Sequence, residues 1–287
     1  MRPARSVRSL AAVTAALLAA VALASCAQEE DAPAPAASGD DACASITTAR
    51  DGVLTIATSN PAFPPYVIKN DPENGKGFES ATAYAVAAEM GFEGDAIEWT
   101  FAPFGKLFAP GDKDFDFAIN QIGISPGRER AVTFSQPYYE AANAVLVLKD
   151  SNFASATSLA DLADAKIGVQ SGTTGQTQVE TVIEPTQDLA VYPNSVNATQ
   201  ALTNGQIDAF VTDLPTTIYL ANVEIPGVVV GQLPGDEAAD TWGLVLEKDN
   251  PLVTCVDQAL QATKDSGELQ SITDEWMTEY NDAPVLS

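Results

Sequence analysis

Hydrophobic and polar residues follow three successive patterns along the chain. An apolar run spans Leu10 to Leu23, residues 27–42 show no hydrophobic period, and apolar segments separated by polar turns recur from Asp51 onward. Runs typical of strands cover 53–58, 97–101, 115–121, 166–170 and 207–213, and a further apolar segment at 242–247 leads into the C-terminal helices. Helical periods or helix starts cover 77–90, 104–108, 158–162, 197–204, 252–264 and 269–280. This alternation predicts an α/β fold whose sheets are mostly parallel and flanked by crossover helices.

The order of these elements predicts two lobes. Two αβ units of similar size follow each other, and a C-terminal segment then returns, with no internal repeat of fixed period. We expect lobe one at 44–145 plus 242–287 and lobe two at 149–235. Two hinge crossings would connect these lobes.

Residues 1–25 have the pattern of a secretory signal peptide. A basic start containing Arg2, Arg5 and Arg8 precedes the apolar run, which is too short for a stable membrane span. The sequence L-A-S-C at 23–26 resembles the lipobox of bacterial lipoproteins, which implies cleavage before Cys26 and lipid attachment to its sulfur. The alternative is an ordinary signal peptide followed by an incidental cysteine. Residues 26–43 would then be the lipidated cysteine and a flexible tether.

Two cysteines remain if Cys26 carries lipid. An exported protein lies in an oxidising compartment, and an even number of thiols is consistent with disulfide pairing. We therefore predict a bridge between Cys43 and Cys255. The alternative is a pair of buried free thiols.

Composition excludes several functions. The net charge is −25, and removal of residues 1–25 leaves 11 basic against 39 acidic residues. Such a surface repels phosphate backbones, so no nucleic-acid partner is expected. The chain has no histidine, which removes Ser-His-Asp and Cys-His catalysis and the commonest zinc ligand. We expect no cofactor, no metal site and no catalytic residue.

Seven short motifs follow one another in a family-like order. They are A-F-P-P-Y (62–66), G-K-G-F-E (75–79), F-D-F-A-I-N-Q-I-G-I-S-P-G-R (115–128), F-S-Q-P-Y-Y (134–139), G-V-Q-S-G-T-T (168–174), G-Q-I-D-A-F-V-T-D (205–213) and W-G-L-V-L-E-K-D-N-P (242–251). From about Gly52 to Tyr280 the chain resembles the polar-amino-acid family of bacterial extracellular solute-binding proteins, which has the type II periplasmic-binding fold. The resemblance implies a monomeric substrate-binding lipoprotein of an ABC importer. Its partners would be a free amino acid and the permease subunits in the membrane. Its lipid would anchor it to the cell membrane, on the side that faces away from the cytoplasm.

The resemblance also implies a ligand-binding set. Arg128 would bind the α-carboxylate of the ligand through its planar guanidinium, and Asp213 would bind the α-ammonium. Thr173 and Thr174, where a helix starts, would meet the same carboxylate from the opposite lobe. The remaining positions would supply a backbone N–H, a hydroxyl, an amide and two aromatic walls; they are Gly123, Ser125, Gln121, Phe63 and Phe104.

Each of these residues also has a purely structural interpretation. Arg128 can be a solvated residue at a helix start, Asp213 a helix N-cap, the threonines plain helix caps and the phenylalanines core packing. The motif context favours the ligand-binding roles. Hinge closure around the ligand would then be the mechanism, since the set comes from both lobes.

Five further residues bear on specificity and on rival functions. Members that bind cationic amino acids usually have a carboxylate just after strand one, where this chain has Ser59 and Asn60. The I-N-Q-I run at 119–122, which includes Asn120, is closer to cystine-type members, so we predict a neutral polar amino acid or cystine. Rival hypotheses are a solute sensor with the same site, or an exported lyase or dehydratase, for which only Glu79 and Glu140 lie near motif loops as candidate acids.

Overall fold

The computed structural model describes residues 43–44, 46–235 and 241–287. The predicted signal peptide, the predicted lipidation site Cys26 and the predicted tether up to residue 42 lie outside the described residues. In chain order, the strands are β1 (Leu54–Thr58), β2 (Ile97–Phe101), β3 (Phe117–Ala118), β4 (Thr133–Glu140), β5 (Asn143–Leu148), β6 (Ile167–Gln170), β7 (Ala190–Tyr192), β8 (Ala209–Asp213), β9 (Gly227–Gln232) and β10 (Thr241–Leu246).

Eight α-helices lie between and after these strands in the described ranges. They are α1 (Phe78–Glu89), α2 (Phe104–Leu107), α3 (Pro126–Glu129), α4 (Thr174–Gln178), α5 (Ser195–Thr203), α6 (Leu214–Tyr219), α7 (Val253–Asp265) and α8 (Glu268–Trp276). Single π-turns, Val179–Ile183 and Leu220–Glu224, extend α4 and α6. The predicted helix start at 158–162 is a short 3-10 turn, Ala160–Leu162.

The strands form two five-stranded sheets, and both are mixed. The strand orders are β2-β1-β3-β10-β4 and β7-β6-β8-β5-β9. Pairs β1–β2, β1–β3, β6–β7 and β6–β8 are parallel, whereas β3–β10, β10–β4, β5–β8 and β5–β9 are antiparallel. The prediction of mostly parallel sheets is therefore wrong in this respect. The sequence gives little sign of β4, because T-F-S-Q-P-Y-Y-E contains a proline and lacks a continuous apolar run.

The chain passes between the sheets near two short segments. It leaves the first sheet at Glu140 and enters β5 at Asn143, so the predicted lobe boundary at 145 falls inside a strand of the second sheet. It returns between β9 and β10. The last residues depart from the prediction that all of 242–287 belongs to lobe one, because Leu286 is 2% exposed in the core of the second sheet.

Each sheet has its own core. In the first, β1 and β10 pack through Ile56 and Leu244 against α1 and the C-terminal helices, including Val256. In the second, Val145 and Val169 lie in a separate buried cluster. Fully burying one such side chain contributes about 1.5–3 kcal/mol. These cores hold the sheet ends, where the site lies.

Cys43 and Cys255 form a disulfide, which confirms the predicted pairing. The bridge ties the first described residues to α7 across a sequence separation of 212 residues. None of the helices in the described ranges is both long enough and apolar enough to cross a membrane.

Candidate functional site

A cavity of about 390 Å³ lies where strands from both sheets end. Thr58, Phe101, Gln170 and Asp213 are the last residues of β1, β2, β6 and β8, and all four line it. Ligands of open α/β sheets bind at such carboxyl ends of strands, and the volume is within the range of small-molecule sites. A smaller cavity of about 30 Å³ adjoins it and shares Gln121 and Asp213 among other lining residues.

Most of the predicted ligand-binding residues meet at these two cavities. The larger one is lined by Phe63, Phe104, Gln121, Thr173 and Asp213, and the smaller one adds Arg128 and Thr174. Ser59, Asn60 and Asn120, the predicted specificity positions, also line the larger cavity. Seven of the nine predicted residues are thus brought together by the fold.

Gly123 and Ser125 are absent from the described residues that line either cavity. The carbonyl oxygen of Gly123 accepts a hydrogen bond of 2.6 Å from Nη1 of Arg128. The hydroxyl of Ser125 caps α3, accepting from the backbone N–H of Arg128 at 3.4 Å. The predicted ligand contacts, the N–H of Gly123 and the O–H of Ser125, are groups that these two bonds do not use, so their role stays a prediction. Both residues position Arg128, because a short helix start needs its N–H groups satisfied locally.

Arg128 is a partly buried cation at the junction between the two sides of the cavity. Its Nη1 donates to Gly123 on its own side, and its Nη2 donates to the carbonyl oxygen of Gly172 on the opposite side, at 2.8 Å. The guanidinium carbon lies 4.4 Å from the ring centroid of Phe108. None of the carboxylates in the described part of the chain forms a salt bridge with it.

The surroundings of Arg128 favour an anionic ligand. Burial lowers the pKa of Arg128 to about 10, so the side chain remains charged at neutral pH. A desolvated cation gains most from a carboxylate that matches its planar fork. The Phe108 ring that stacks on it was not predicted, although its spacing of four from Phe104 in a short helical segment was visible in the sequence.

Asp213 both caps a helix and reaches across the cavity. Its Oδ1 accepts from the backbone N–H of Thr216 at 2.9 Å, and its Oδ2 accepts from the hydroxyl of Thr216 at 2.9 Å. The hydroxyl of Tyr66, which belongs to the first-sheet side, also donates to Oδ1. Burial, followed by the nearby charge of Asp213, raises the pKa of Tyr66 well above its ordinary value, so the phenol keeps its proton. Asp213 therefore has the N-cap role, and the same carboxylate lines the cavity.

Glu79 is a buried carboxyl at the inner side of the cavity, and it was predicted only as a candidate acid for a rival lyase or dehydratase. It is 1% exposed, and its Oε1 accepts from the backbone N–H of Gln121 at 2.6 Å and from the hydroxyl of Tyr138. Its Oε2 accepts from Nε2 of Gln121. Desolvation is the main reason that the pKa of Glu79 is raised to about 7. The charge of Asp213 also raises this pKa, whereas the hydrogen bonds from Tyr138 and Gln121 lower it. The sequence signal was an acidic residue in a helix whose neighbours are nearly all small or apolar.

Residues 54–279 match the sequence profile of the bacterial extracellular solute-binding proteins, family 3. The chain belongs to that family. This match confirms the resemblance inferred from the seven motifs and the expected class of solute-binding protein. The two-lobe α/β fold predicted from the sequence is confirmed as well.

Relatives of this family member bind several amino acids. It is 30% identical over 228 residues to the arginine-binding periplasmic protein of Mannheimia haemolytica, covering 77% of this chain and 90% of that one. It is 27% identical over 218 residues to the L-cystine-binding protein TcyJ of Escherichia coli, covering 75% and 79%. Among solved structures, an ancestral arginine-binding protein bound to glutamine is similar, with a TM-score of 0.68, 30% identity, and coverage of 79% of this chain and 99% of that chain.

Proposed function

We propose that this protein captures a free amino acid in the cavity between its two sheets and delivers it to an ABC importer. The observation that supports the proposal best is the charge arrangement at the cavity. Arg128 has no carboxylate partner among the described residues, and Asp213 lines the same space with a carboxylate. A zwitterion presents the complementary charges about 3 Å apart, so one ligand would match both residues.

Arg128 would bind the α-carboxylate. Its Nη2 bond to the Gly172 carbonyl would be exchanged for the ligand oxygen atoms, and the hydroxyls of Thr173 and Thr174 lie at the same cavity wall. Asp213 would bind the α-ammonium at Oδ2, in place of the bond of 3.2 Å that this oxygen accepts from the hydroxyl of Thr212. The rings of Phe63 and Phe104, which line the cavity, would contact the side chain of the ligand.

Hinge closure would couple binding to transport. The two short passages near residues 141–142 and after Gln232 are the connections about which the sheets would move. A ligand held by Arg128 on one side and by Asp213 on the other favours the closed state only when it bridges both. The permease would then recognise that closed form.

The ligand would be a neutral polar amino acid or cystine. Ser59 and Asn60 line the cavity without a charge, whereas Asn120 and Gln121 offer amide groups. Glu79 adds a carboxyl that the sequence argument against cationic side chains did not include, so arginine belongs in the same ligand screen.

The protein would act while anchored to the outer face of the cell membrane by lipid on Cys26. A tether of some 17 residues has a root-mean-square reach of roughly 20–25 Å, which keeps the binding domain near the permease. Metabolic labelling with a fatty-acid probe tests this: wild-type protein should carry the label, and Cys26→Ser should lose it. Label retained in Cys26→Ser would contradict anchoring at this residue.

The decisive experiment is a thermal-shift screen of the purified protein against the standard amino acids and cystine, followed by calorimetry on each hit. A ligand that binds the folded state raises Tm by mass action. Arg128→Ala should weaken binding by about 2–5 kcal/mol because the ligand carboxylate loses its buried partner. Arg130→Ala is the matched control, since Arg130 is exposed and donates only to a local backbone carbonyl.

Asp213→Asn separates binding from helix capping. Asparagine caps a helix about as well as aspartate and can still accept from the hydroxyl of Tyr66, but it lacks the charge for an ammonium. We expect an unchanged Tm without ligand and a loss of affinity of at least tenfold. Near-normal affinity in both Arg128→Ala and Asp213→Asn would sink the proposal.

An exported lyase or dehydratase is the second candidate, because Glu79 has the pKa of a general acid and lines the cavity. Against it, both carboxyl oxygen atoms already accept hydrogen bonds from Gln121 and Tyr138. Product formation from muropeptides or cyclohexadienyl carboxylates that is abolished in Glu79→Gln would support the enzyme. A sensor would bind the same amino acid, and co-purification with permease subunits would separate it from an importer component.

A further inference from the structure

Two buried oxygen atoms at the inner side of the cavity lack a hydrogen-bond partner among the described residues. They are Oγ1 of Thr58, in a residue 1% exposed, and Oδ1 of Asn120, in a residue 6% exposed. Both residues line the cavity. Buried polar atoms are nearly always hydrogen-bonded, so this pair indicates a position that the bound molecule fills.

The direction of the neighbouring hydrogen bonds determines which kind of atom is left free. Glu79 accepts from Nε2 of Gln121, which turns Oε1 of Gln121 toward Asn120. That oxygen accepts from Nδ2 of Asn120 at 2.9 Å. These bonds all run in one direction, because the carboxylate of Glu79 at one end can only accept. Oδ1 of Asn120 is therefore the acceptor left free at the other end.

The charges at the cavity also favour a ligand that donates hydrogen bonds. Its lining includes one guanidinium, Arg128, and two carboxyls, Glu79 and Asp213. A ligand whose carboxylate is bound by Arg128 and whose ammonium is bound by Asp213 leaves Glu79 without a positive partner. Oε2 of Glu79 accepts a single side-chain bond, which leaves it capacity for another donor.

We propose that the hydrogen-bonded side chains of Glu79, Gln121 and Asn120, together with Thr58, form an acceptor subsite. This subsite selects amino acids whose side chain ends in N–H donors. The inference rests on the proposed function and deepens it. Three side-chain groups share this chemistry: the amide of glutamine, the distal ammonium of cystine and the guanidinium of arginine. A side chain that only accepts, such as that of glutamate, would leave Oδ1 of Asn120 without a donor and would lie beside the carboxyl of Glu79.

Reversing the direction of the hydrogen bonds among these three side chains provides the test. In Glu79→Gln the new amide group donates to Oε1 of Gln121, so that Gln121 turns its Nε2 toward Oδ1 of Asn120. The donor Nδ2 of Asn120 then faces the cavity. The subsite becomes a donor, while the bonds that hold Arg128 and Asp213 remain.

The experiment is calorimetry at pH 8 on the wild type, Glu79→Gln, Asn120→Ala and the exposed control Glu73→Gln. The ligands are glutamine, cystine, arginine, glutamate and the methyl ketone isostere of glutamine, which has the same charge but no N–H in its side chain. In the wild type, we expect the tightest ligand to carry side-chain N–H donors and glutamine to bind at least tenfold tighter than its isostere. Glu79→Gln should remove that preference, and Asn120→Ala should weaken the tightest ligand at least tenfold.

Several results would overturn the inference. One is a tightest ligand without side-chain N–H groups; another is an unchanged glutamine preference in Glu79→Gln. If Glu79→Gln fails to fold, Asn120→Ala decides, and wild-type affinity in that variant refutes the subsite. If Arg128→Ala abolishes binding while Asn120→Ala binds normally, the inference alone is wrong. If the wild type binds none of the amino acids, the proposed function fails as well.

Discussion

The buried carboxyl of Glu79 should make the stability of this protein depend on pH in an unusual direction. Its pKa is raised from 4.5 to about 7, mainly because burial disfavours the charged form. The folded state therefore binds a proton more readily than the unfolded chain between these values. The resulting stabilisation is fully present below pH 4.5 and is lost as the pH rises through 7.

The magnitude follows from the two pKa values. Linkage gives a loss of about 2–3 kcal/mol in the free energy of unfolding between pH 5 and pH 8. For a domain of this size, that corresponds to a decrease in Tm of about 5–10 °C. Glu79→Gln cannot ionise, so its stability should lack this part of the pH dependence.

The assay is denaturant unfolding of the ligand-free protein at pH 5, 6, 7 and 8. The remaining carboxylates, including the buried Asp116, titrate in both proteins, so the difference between wild type and Glu79→Gln isolates one group. Glu73→Gln, which changes an exposed glutamate, should behave like the wild type. Parallel pH profiles for the wild type and Glu79→Gln would refute the reasoning, since ionisation of Glu79 would then cost nothing.

Three further predictions concern the fold. Reducing the Cys43–Cys255 bridge should lower the free energy of unfolding by at most about 5 kcal/mol, seen as a lower denaturant midpoint; no change with reductant would contradict this. Gly77→Ala should destabilise far more than Gly91→Ala. Both positions have φ near +90 to +100°, but a Cβ at Gly77 would lie 2.4 Å from a backbone oxygen, whereas Gly91 has open space; equal midpoints would refute the clash. Leu286→Ala should cost about 2–5 kcal/mol if the C-terminal residues pack in the second core, and a wild-type midpoint would show that they do not.

Local patterns identified much of the fold. The run Ile97–Phe101 is a strand with the predicted bounds, and the helical period at 77–90 corresponds to α1 within one or two residues. Strand direction was harder to predict, because β4 and β10 pair antiparallel although 100 residues of chain separate them. A periodicity of two or 3.6 residues carries no information about which distant strand becomes the neighbour.

In the candidate site, too, some features were visible in the sequence and others depend on the tertiary structure. The sequence by itself determined the residue types that the family resemblance assigns to a zwitterion. Arg128 lies past the end of one predicted strand and Asp213 at the end of another, each within a recognisable motif. Only the tertiary structure brought Gly172 to Arg128, and Gln121 and Tyr138 to Glu79. The pKa of Glu79 and the free acceptor on Asn120 arise from burial and from partners far away in the chain. Desolvation and hydrogen-bond direction depend on the complete packing, so no local sequence window contains them.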